Sequence, residues 1–124
     1  MRNITITVTT TGSDGSATGT GYSAHPLNGR VYALYVDWSA SAPAGTSDIT
    51  ITSEDSNPTW TYYSKSNSVT DVAVYPVVQC TDNGATAVSG TYQHYPINSR
   101  MKVAVAGCNA LTTAVTVYVW ILED

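Results

Sequence analysis

A strict alternation of apolar residues with hydroxylated or aromatic ones constrains this chain more than any other feature of its sequence. The alternation runs from Val115 to Leu122 within the stretch Thr113–Leu122, and from Ile4 to Thr9 within the stretch Asn3–Thr11. In the first stretch the apolar positions are Val115, Val117, Val119 and Ile121, and the intervening positions are Thr116, Tyr118, Trp120 and Leu122. Because residues two apart share one face of a strand, both stretches predict β-strands with one face against a core. No segment shows the period of a helix.

The stretch Gly29–Trp38, GRVYALYVDW, is the longest run of large apolar residues. Taken as a regular strand, it places Tyr32, Leu34, Val36 and Trp38 on one face and Val31, Ala33, Tyr35 and Asp37 on the other. A strand with two largely apolar faces normally lies in the middle of a sheet. We therefore expect a core beneath this strand and a second covering layer, such as another subunit, above it.

Other stretches rich in β-branched and aromatic residues predict the remaining strands. They are Asp48–Ser53, Thr59–Ser64, Val69–Cys80, Tyr92–Ile97 and Arg100–Cys108. Tyr22–Pro26 is expected to add a short edge strand. Pro76 must lie at an edge or a bulge, because proline cannot donate to a ladder. The glycine-rich segment Gly12–Gly21 and the segment from Asp82 to about Gly90 are expected to be loops. Seven or eight short strands without a helix predict an all-β fold: a single antiparallel β-sandwich, jelly-roll-like, over residues 1–124.

The low proportion of charged residues points to a neutral surface. Charged residues make up 11% of the 124 positions, against about 25% in an average globular protein. Thr and Ser take their place, and a hydroxylated, weakly charged surface does little to keep molecules apart. Such a surface suits a protein that packs against copies of itself or against a larger assembly. The alternative is a soluble β protein with a Thr-rich outer face.

The net charge of −4 leaves only five Lys and Arg, scattered along the chain. Nucleic acid is not expected as a partner, because no basic stripe could track a phosphate backbone. Met1 and Arg2 lead straight into alternating residues rather than a continuous apolar run, so no signal peptide is expected. No apolar run approaches the roughly 20 residues that span a bilayer. We therefore expect the chain to be synthesised in the cytoplasm. We do not expect it to associate with a membrane.

The sequence offers no constellation of residues typical of catalysis. His25 and His94 are not flanked by a nucleophile motif, and neither a G-x-S-x-G elbow nor a phosphate-binding glycine loop is present. Glu54 and Asp55 are adjacent, so their carboxylates would diverge rather than flank a glycosidic bond. We predict that the chain is not an enzyme and binds no cofactor.

Metal and disulfide sites are not expected either. Asp14 and Asp82 lie in glycine-containing loops, but single acidic residues do not supply the six to eight oxygens of a calcium site. The two cysteines, Cys80 and Cys108, have no histidine at zinc-ligand spacing. In a reducing compartment they are expected to be buried thiols rather than a disulfide.

The aromatic residues suggest binding. Nine Tyr, three Trp and no Phe are rings with a polar group, which are favoured at interfaces and at sugar platforms. Two sets are candidates. An interface with another copy or with a capsid would use Tyr35, Thr116, Tyr118, Trp120 and Leu122. A carbohydrate surface would use Trp60, Tyr62, Tyr63, Tyr92 and Tyr95, although we favour the alternative that these rings fill the sandwich core and its ends.

Several stretches together resemble the small β-sandwich virion proteins of tailed bacteriophages. They are GRVYALYVDW, DITIT, the aromatic–proline step Tyr75–Pro76, YPIN at Tyr95–Asn98, MKVAVA and VTVYVWIL. The resemblance covers residues from about 29 to the end and is a pattern of strands and turns. Related sequences often place a basic residue after the aromatic–proline step, where this chain has Val77, so no charged capsid contact is carried over to that position.

The resemblance implies a structural role in the virion. Such proteins are head decoration or cement proteins, which bind the major capsid protein on the outer capsid surface, often as homotrimers, and stabilise the head. It therefore implies localisation to the virion after synthesis in the host cytoplasm. A carbohydrate-binding or adhesin-type module, or a tail-associated structural protein, would share the fold and the aromatic residues.

Overall fold

A computed structural model describes residues 1–41 and 43–123, which form eleven strands. The strands are β1 (Arg2–Val8), β2 (Ala17–Tyr22), β3 (Gly29–Trp38), β4 (Asp48–Ser53), β5 (Thr61–Lys65), β6 (Val72–Val74), β7 (Val77–Thr81), β8 (Ala87–His94), β9 (Pro96–Ile97), β10 (Met101–Cys108) and β11 (Val115–Glu123). All described elements are strands, and all pairings are antiparallel. The all-β, sandwich-like class expected from the sequence is confirmed. Within the described ranges, no helix could cross a membrane.

The strands form two packed sheets and a separate hairpin. The larger sheet has the order β1-β11-β3-β6, with β9 also paired to β3, and the smaller sheet has the order β2-β10-β4-β5. Strands β7 and β8 pair only with each other. We refer to residues 77–94, which contain these two strands and their connecting turn, as the hairpin arm.

The core lies between the two sheets and is filled by the inward positions of the alternating strands. The most regular of the predicted strands, β1, β10 and β11, have the predicted faces inward. Their fully buried residues are Ile6, Val8, Met101, Val103, Val105, Val115, Val117, Val119 and Ile121. Each such side chain stabilises the fold by roughly 1.5–3 kcal/mol through burial alone. The alternation therefore fixes which face of the larger sheet is left outside.

Strand β3 departs from the predicted alternation at Tyr32. Ala33 pairs with Trp120 and Val31 pairs with Ile121, so Tyr32 is an extra residue without a partner on β11. This bulge turns Val31 inward, together with Leu34, and leaves Tyr32 37% exposed. The prediction that Tyr32 and Leu34 share a face was therefore wrong, because it assumed an unbroken period of two.

Strand β2 lies in the segment that was expected to be a loop, and Tyr22–Pro26 does not form the expected edge strand. Gly19 and Gly21 allow β2 to pass close to β1 of the opposite sheet. A β-carbon on Gly21 would lie 2.7 Å from the carbonyl oxygen of Thr7, and one on Gly19 would be closer still to that of Thr9. The glycines here serve a close approach of two backbones rather than flexibility.

The single strand expected over Val69–Cys80 is divided at Tyr75–Pro76 into β6 and β7, which lie in different sheets. Pro76 lacks an N–H and so ends the pairing of β6 with β3. The loop expected from Asp82 is a short turn, after which β8 begins at Ala87 rather than near Tyr92. These divisions raise the number of strands above the expected seven or eight.

Candidate interaction surface

The outward side of the larger sheet carries most of the aromatic side chains that the core does not use. We call this surface the aromatic face and define it as Tyr32, Tyr35, Tyr75, Tyr118, Trp120 and Leu122. The strand register brings these residues together, since Tyr118 pairs with Tyr35 and Trp120 pairs with Ala33. Ala73 of β6 pairs with Tyr35, and Tyr75 follows two residues later on the same side of the sheet. Strands β11 and β3 and the end of β6 therefore contribute to one continuous surface.

The rings on this face contact each other but remain partly open to solvent. The ring centroids of Tyr35 and Tyr118 are 6.4 Å apart, and Tyr32 and Tyr75 meet edge to face at 6.2 Å. Tyr75 is 63% exposed, while Tyr35, Tyr118 and Trp120 are half-buried. Edge-to-face and tilted pairs at these distances are favourable ring arrangements. The face is therefore ordered by its own contacts before any partner arrives.

A shallow pocket of about 320 Å³ lies on the aromatic face. It is lined by Met1, Tyr32, Ala33, Leu34, Tyr35, Ala73, Tyr75 and Trp120. None of these side chains is charged. The pocket therefore suits an apolar or aromatic group rather than an ion.

The structure places all five predicted interface residues on the outward side of the larger sheet. Thr116, Tyr118, Trp120 and Leu122 alternate along β11, and Tyr35 lies beside Tyr118. Tyr32 was missed because a bulge cannot be seen in the periodicity of one strand. Tyr75 was missed as well, although its place on the same side as Ala73 was a usable signal. In β11 the aliphatic residues are buried and the intervening residues are partly exposed, so its outward side is the one expected from the sequence.

The five residues expected for a carbohydrate surface do not form one platform. The ring of Tyr95 meets those of Trp60 and Tyr62 edge to face, each at 5.8 Å. Tyr62 is 4% exposed, and Tyr63 is half-buried against the core. Tyr92 lies apart on the hairpin arm and is 57% exposed. Three of the rings close one end of the sandwich, as the favoured alternative expected.

Burial dominates the ionisation of Tyr62 and Tyr63. It raises the pKa of Tyr62 well above its usual range, and it raises the pKa of Tyr63 in the same direction. The hydroxyl of Tyr62 donates a hydrogen bond to the carbonyl oxygen of Pro96 at 2.9 Å. These groups stabilise the fold rather than present a reactive oxygen.

Three of the carboxylates considered as chemical candidates have structural partners. The Asp14 carboxylate accepts from the backbone N–H of Ala110, and the Asp82 carboxylate accepts from those of Gly84 and Thr86. Glu54 forms an ion pair with Arg100. Cys80 and Cys108 are free thiols, half-buried and buried respectively. No group of three His, Cys, Asp or Glu that could hold a metal occurs within residues 1–41 and 43–123.

A second concavity, a cleft of about 480 Å³, separates the hairpin arm from the sandwich. It is lined by Arg30, Trp60, Val78, Gln79, Cys80, Thr81, Gln93, His94 and Pro96. The Nδ1 atom of His94 is buried beside this cleft without a hydrogen-bond partner. Because that atom is closed off from solvent, it does not offer a ligand contact in this arrangement.

No protein-family model, curated protein or solved structure matches this chain.

Proposed function

We propose that this chain is a virion structural protein of the decoration or cement class. It binds the major capsid protein on the outside of a phage head as a homo-oligomer, such as a trimer, and stabilises the particle. The observation that carries the proposal is the aromatic face, a neutral outer surface formed by ordered Tyr and Trp side chains. The resemblance of the strand pattern to phage virion proteins supports a phage head as the assembly to which the chain binds.

The physical case is that the aromatic face is costly to leave uncovered. Contiguous apolar patches on a monomer mark interaction sites, and Tyr and Trp are the side chains most enriched at the centres of protein interfaces. Trp120 and Leu122 are already half-buried, so covering them would contribute less than the roughly 1.5–3 kcal/mol that full burial of each side chain gives. Three copies meeting through such faces would form an aromatic and aliphatic cluster large enough to hold an oligomer.

The carbohydrate-binding alternative is less well supported. A sugar platform needs exposed ring faces, whereas Trp60, Tyr62 and Tyr95 use theirs in edge-to-face contacts with each other. Retention of the wild-type protein on a polysaccharide column would nevertheless replace the proposed function with this one.

Substitution of Trp120 tests the proposal. We expect the wild-type protein to be oligomeric by light scattering and to co-sediment with phage heads, and we expect Trp120→Ser to weaken self-association at least about tenfold, as loss of a central interface residue does. Tyr22→Ser is the matched control, because Tyr22 is 40% exposed on the smaller sheet. A wild-type monomer without affinity for heads, unchanged by Trp120→Ser, would contradict the proposal.

A further inference from the structure

We propose that the hairpin arm of one copy docks on the aromatic face of a second copy, with an apolar arm side chain in the pocket between Tyr35, Tyr75 and Trp120. This inference rests on the proposed function, since it requires the aromatic face to be a self-association surface. The inference names the hairpin arm as the element that covers the aromatic face. In such a contact, identical chains would exchange their arms.

The arm packs only in part on its own sandwich, because Val78, Gln79 and Cys80 of β7 are half-buried beside the cleft. Strands β7 and β8 pair only with each other, and seven of the eight residues of β8 are exposed. Its ties to the body lie at its base, where the rings of Tyr32 and His94 are 5.2 Å apart and the Val31 N–H donates to the Tyr95 carbonyl. A two-stranded hairpin without a packed face is marginally stable in water. The arm therefore gains stability from any surface that covers it.

Exposed apolar side chains concentrate on the arm and around the pocket. Among the described residues, the exposed large hydrophobic side chains are Met1, Tyr22, Tyr32, Tyr75, Val77, Val88 and Tyr92. Val77, Val88 and Tyr92 belong to the arm, and Met1, Tyr32 and Tyr75 line the pocket. Only Tyr22 lies elsewhere. The molecule thus carries both an apolar projection and an apolar recess.

The arm is held in shape before it binds. Its turn is ordered by the Asp82 carboxylate, which accepts from the N–H groups of Gly84 and Thr86 at 2.8 and 3.0 Å. The side-chain amide of Gln79 donates to the carbonyl of Val88 at 3.1 Å across the bulged part of β8. Preorganisation reduces the entropy lost on association. The ordered turn therefore lowers the entropy that the arm loses on docking.

The charges of both surfaces are compatible with docking between two copies of this chain. Each chain carries a net charge of −4, so identical copies can meet only through surfaces that avoid carboxylates. The arm contains one carboxylate, Asp82, and that group is engaged in its own turn. The side chains that line the pocket are uncharged. The nearest charged residues on β3, Arg30 and Asp37, lie opposite Leu122 and Thr116 and do not line the pocket.

The pocket has room for one apolar or aromatic arm side chain. Its volume of about 320 Å³ exceeds the roughly 150 Å³ of an apolar cavity that accepts benzene. Val88 and Tyr92, 41% and 57% exposed, are the arm residues best placed to fill it, because Val77 pairs with His94 at the base of the arm.

Cross-linking between two different chains, each with one accessible cysteine, tests the geometry. Both chains carry Cys80→Ser, and Cys108 is fully buried. One adds Ser89→Cys on the arm, and the other adds Thr5→Cys beside Tyr118 on the larger sheet. Mixed and oxidised, they should form a disulfide-linked pair. Thr20→Cys, exposed on the smaller sheet, replaces Thr5→Cys in the control and should not cross-link.

Sizing by light scattering separates this inference from the proposed function. We expect the double variant Val88→Thr/Tyr92→Ser to weaken self-association at least about tenfold, as Trp120→Ser does, with an unchanged circular dichroism spectrum. If Trp120→Ser dissociates the oligomer while the arm variant does not, or if the arm variant loses only its binding to heads, the inference is wrong and the proposed function stands. A wild-type monomer without affinity for heads overturns both.

Discussion

The buried hydroxyl of Tyr62 shows how a single side chain secures one end of the sandwich. It donates to the Pro96 carbonyl, and the ring packs edge to face against Tyr95. Ionisation would remove the donated proton and leave a charge in a site that is 4% exposed. Folding therefore favours the protonated form of this phenol, which is why its pKa lies above the usual value of 10.0.

This pKa makes stability depend on alkaline pH. A group whose pKa is raised by folding contributes its full stabilisation below its unfolded pKa, near 10, and loses it as the pH rises towards the folded value. At pH 8 we expect Tyr62→Phe to lower the unfolding free energy by about 1 kcal/mol, because the hydrogen bond is lost. Above pH 10 the wild type should lose stability faster than the variant, so the difference should shrink.

Denaturant unfolding from pH 8 to 11.5 measures this effect. Tyr92→Phe is the control, since the exposed hydroxyl of Tyr92 is not buried on folding. Parallel stability profiles for the wild type and Tyr62→Phe above pH 10 would contradict the assignment.

At the scale of elements, β2 depends on glycine rather than on β-propensity. Its sequence, ATGTGY, lacks the branched apolar residues of the other strands, and its close approach to β1 excludes a β-carbon at Gly19. The obstacle is the backbone carbonyl of Thr9, which cannot rotate away as a side chain would.

We therefore expect Gly19→Ala to destabilise the fold by about 1–3 kcal/mol, the usual cost of overpacking. Gly45→Ala is the matched control, because a β-carbon added there would have no atom within 4 Å and the backbone requires no positive φ. Thermal unfolding of the two variants beside the wild type decides the matter. Equal melting temperatures for Gly19→Ala and Gly45→Ala would contradict this prediction. They would show that β2 can move away from the Thr9 carbonyl without loss of stability.

The same elements explain what could be predicted from the sequence. Strands β1, β10 and β11 were predictable because one face of each is buried, so their period of two is visible in the residues themselves. The bulge at Tyr32 could not be predicted, because it is set by the register with β11. The position of β2 could not be predicted either, because it is set by how closely β2 approaches β1. The aromatic face was largely predictable from β11, whereas the hairpin arm was not, since its exposed strands have no buried face to impose a pattern.

On the scale of the whole molecule, the two sheets have different outer surfaces. The smaller sheet and its turns carry Asp48, Lys65, Lys102 and the Glu54–Arg100 ion pair. On the larger sheet Arg2 pairs with Glu123 at 3.1 Å, and Arg30 and Asp37 of β3 lie opposite Leu122 and Thr116 of β11. The aromatic residues between these positions are uncharged. The larger sheet thus differs from the smaller one in its uncharged aromatic centre, with charged residues at its ends.

This asymmetry predicts how self-association responds to salt. An interface held by ion pairs weakens as salt screens its charges, whereas one formed by neutral aromatic surfaces does not. Because the copies share a charge of −4, salt screens only their mutual repulsion. We expect the dissociation constant measured by light scattering to stay constant or fall between 50 and 500 mM NaCl, concentrations spanning roughly 14 to 4 Å of screening length. A rise of about tenfold would mean that charged contacts hold the copies together and that the aromatic face is not their meeting surface.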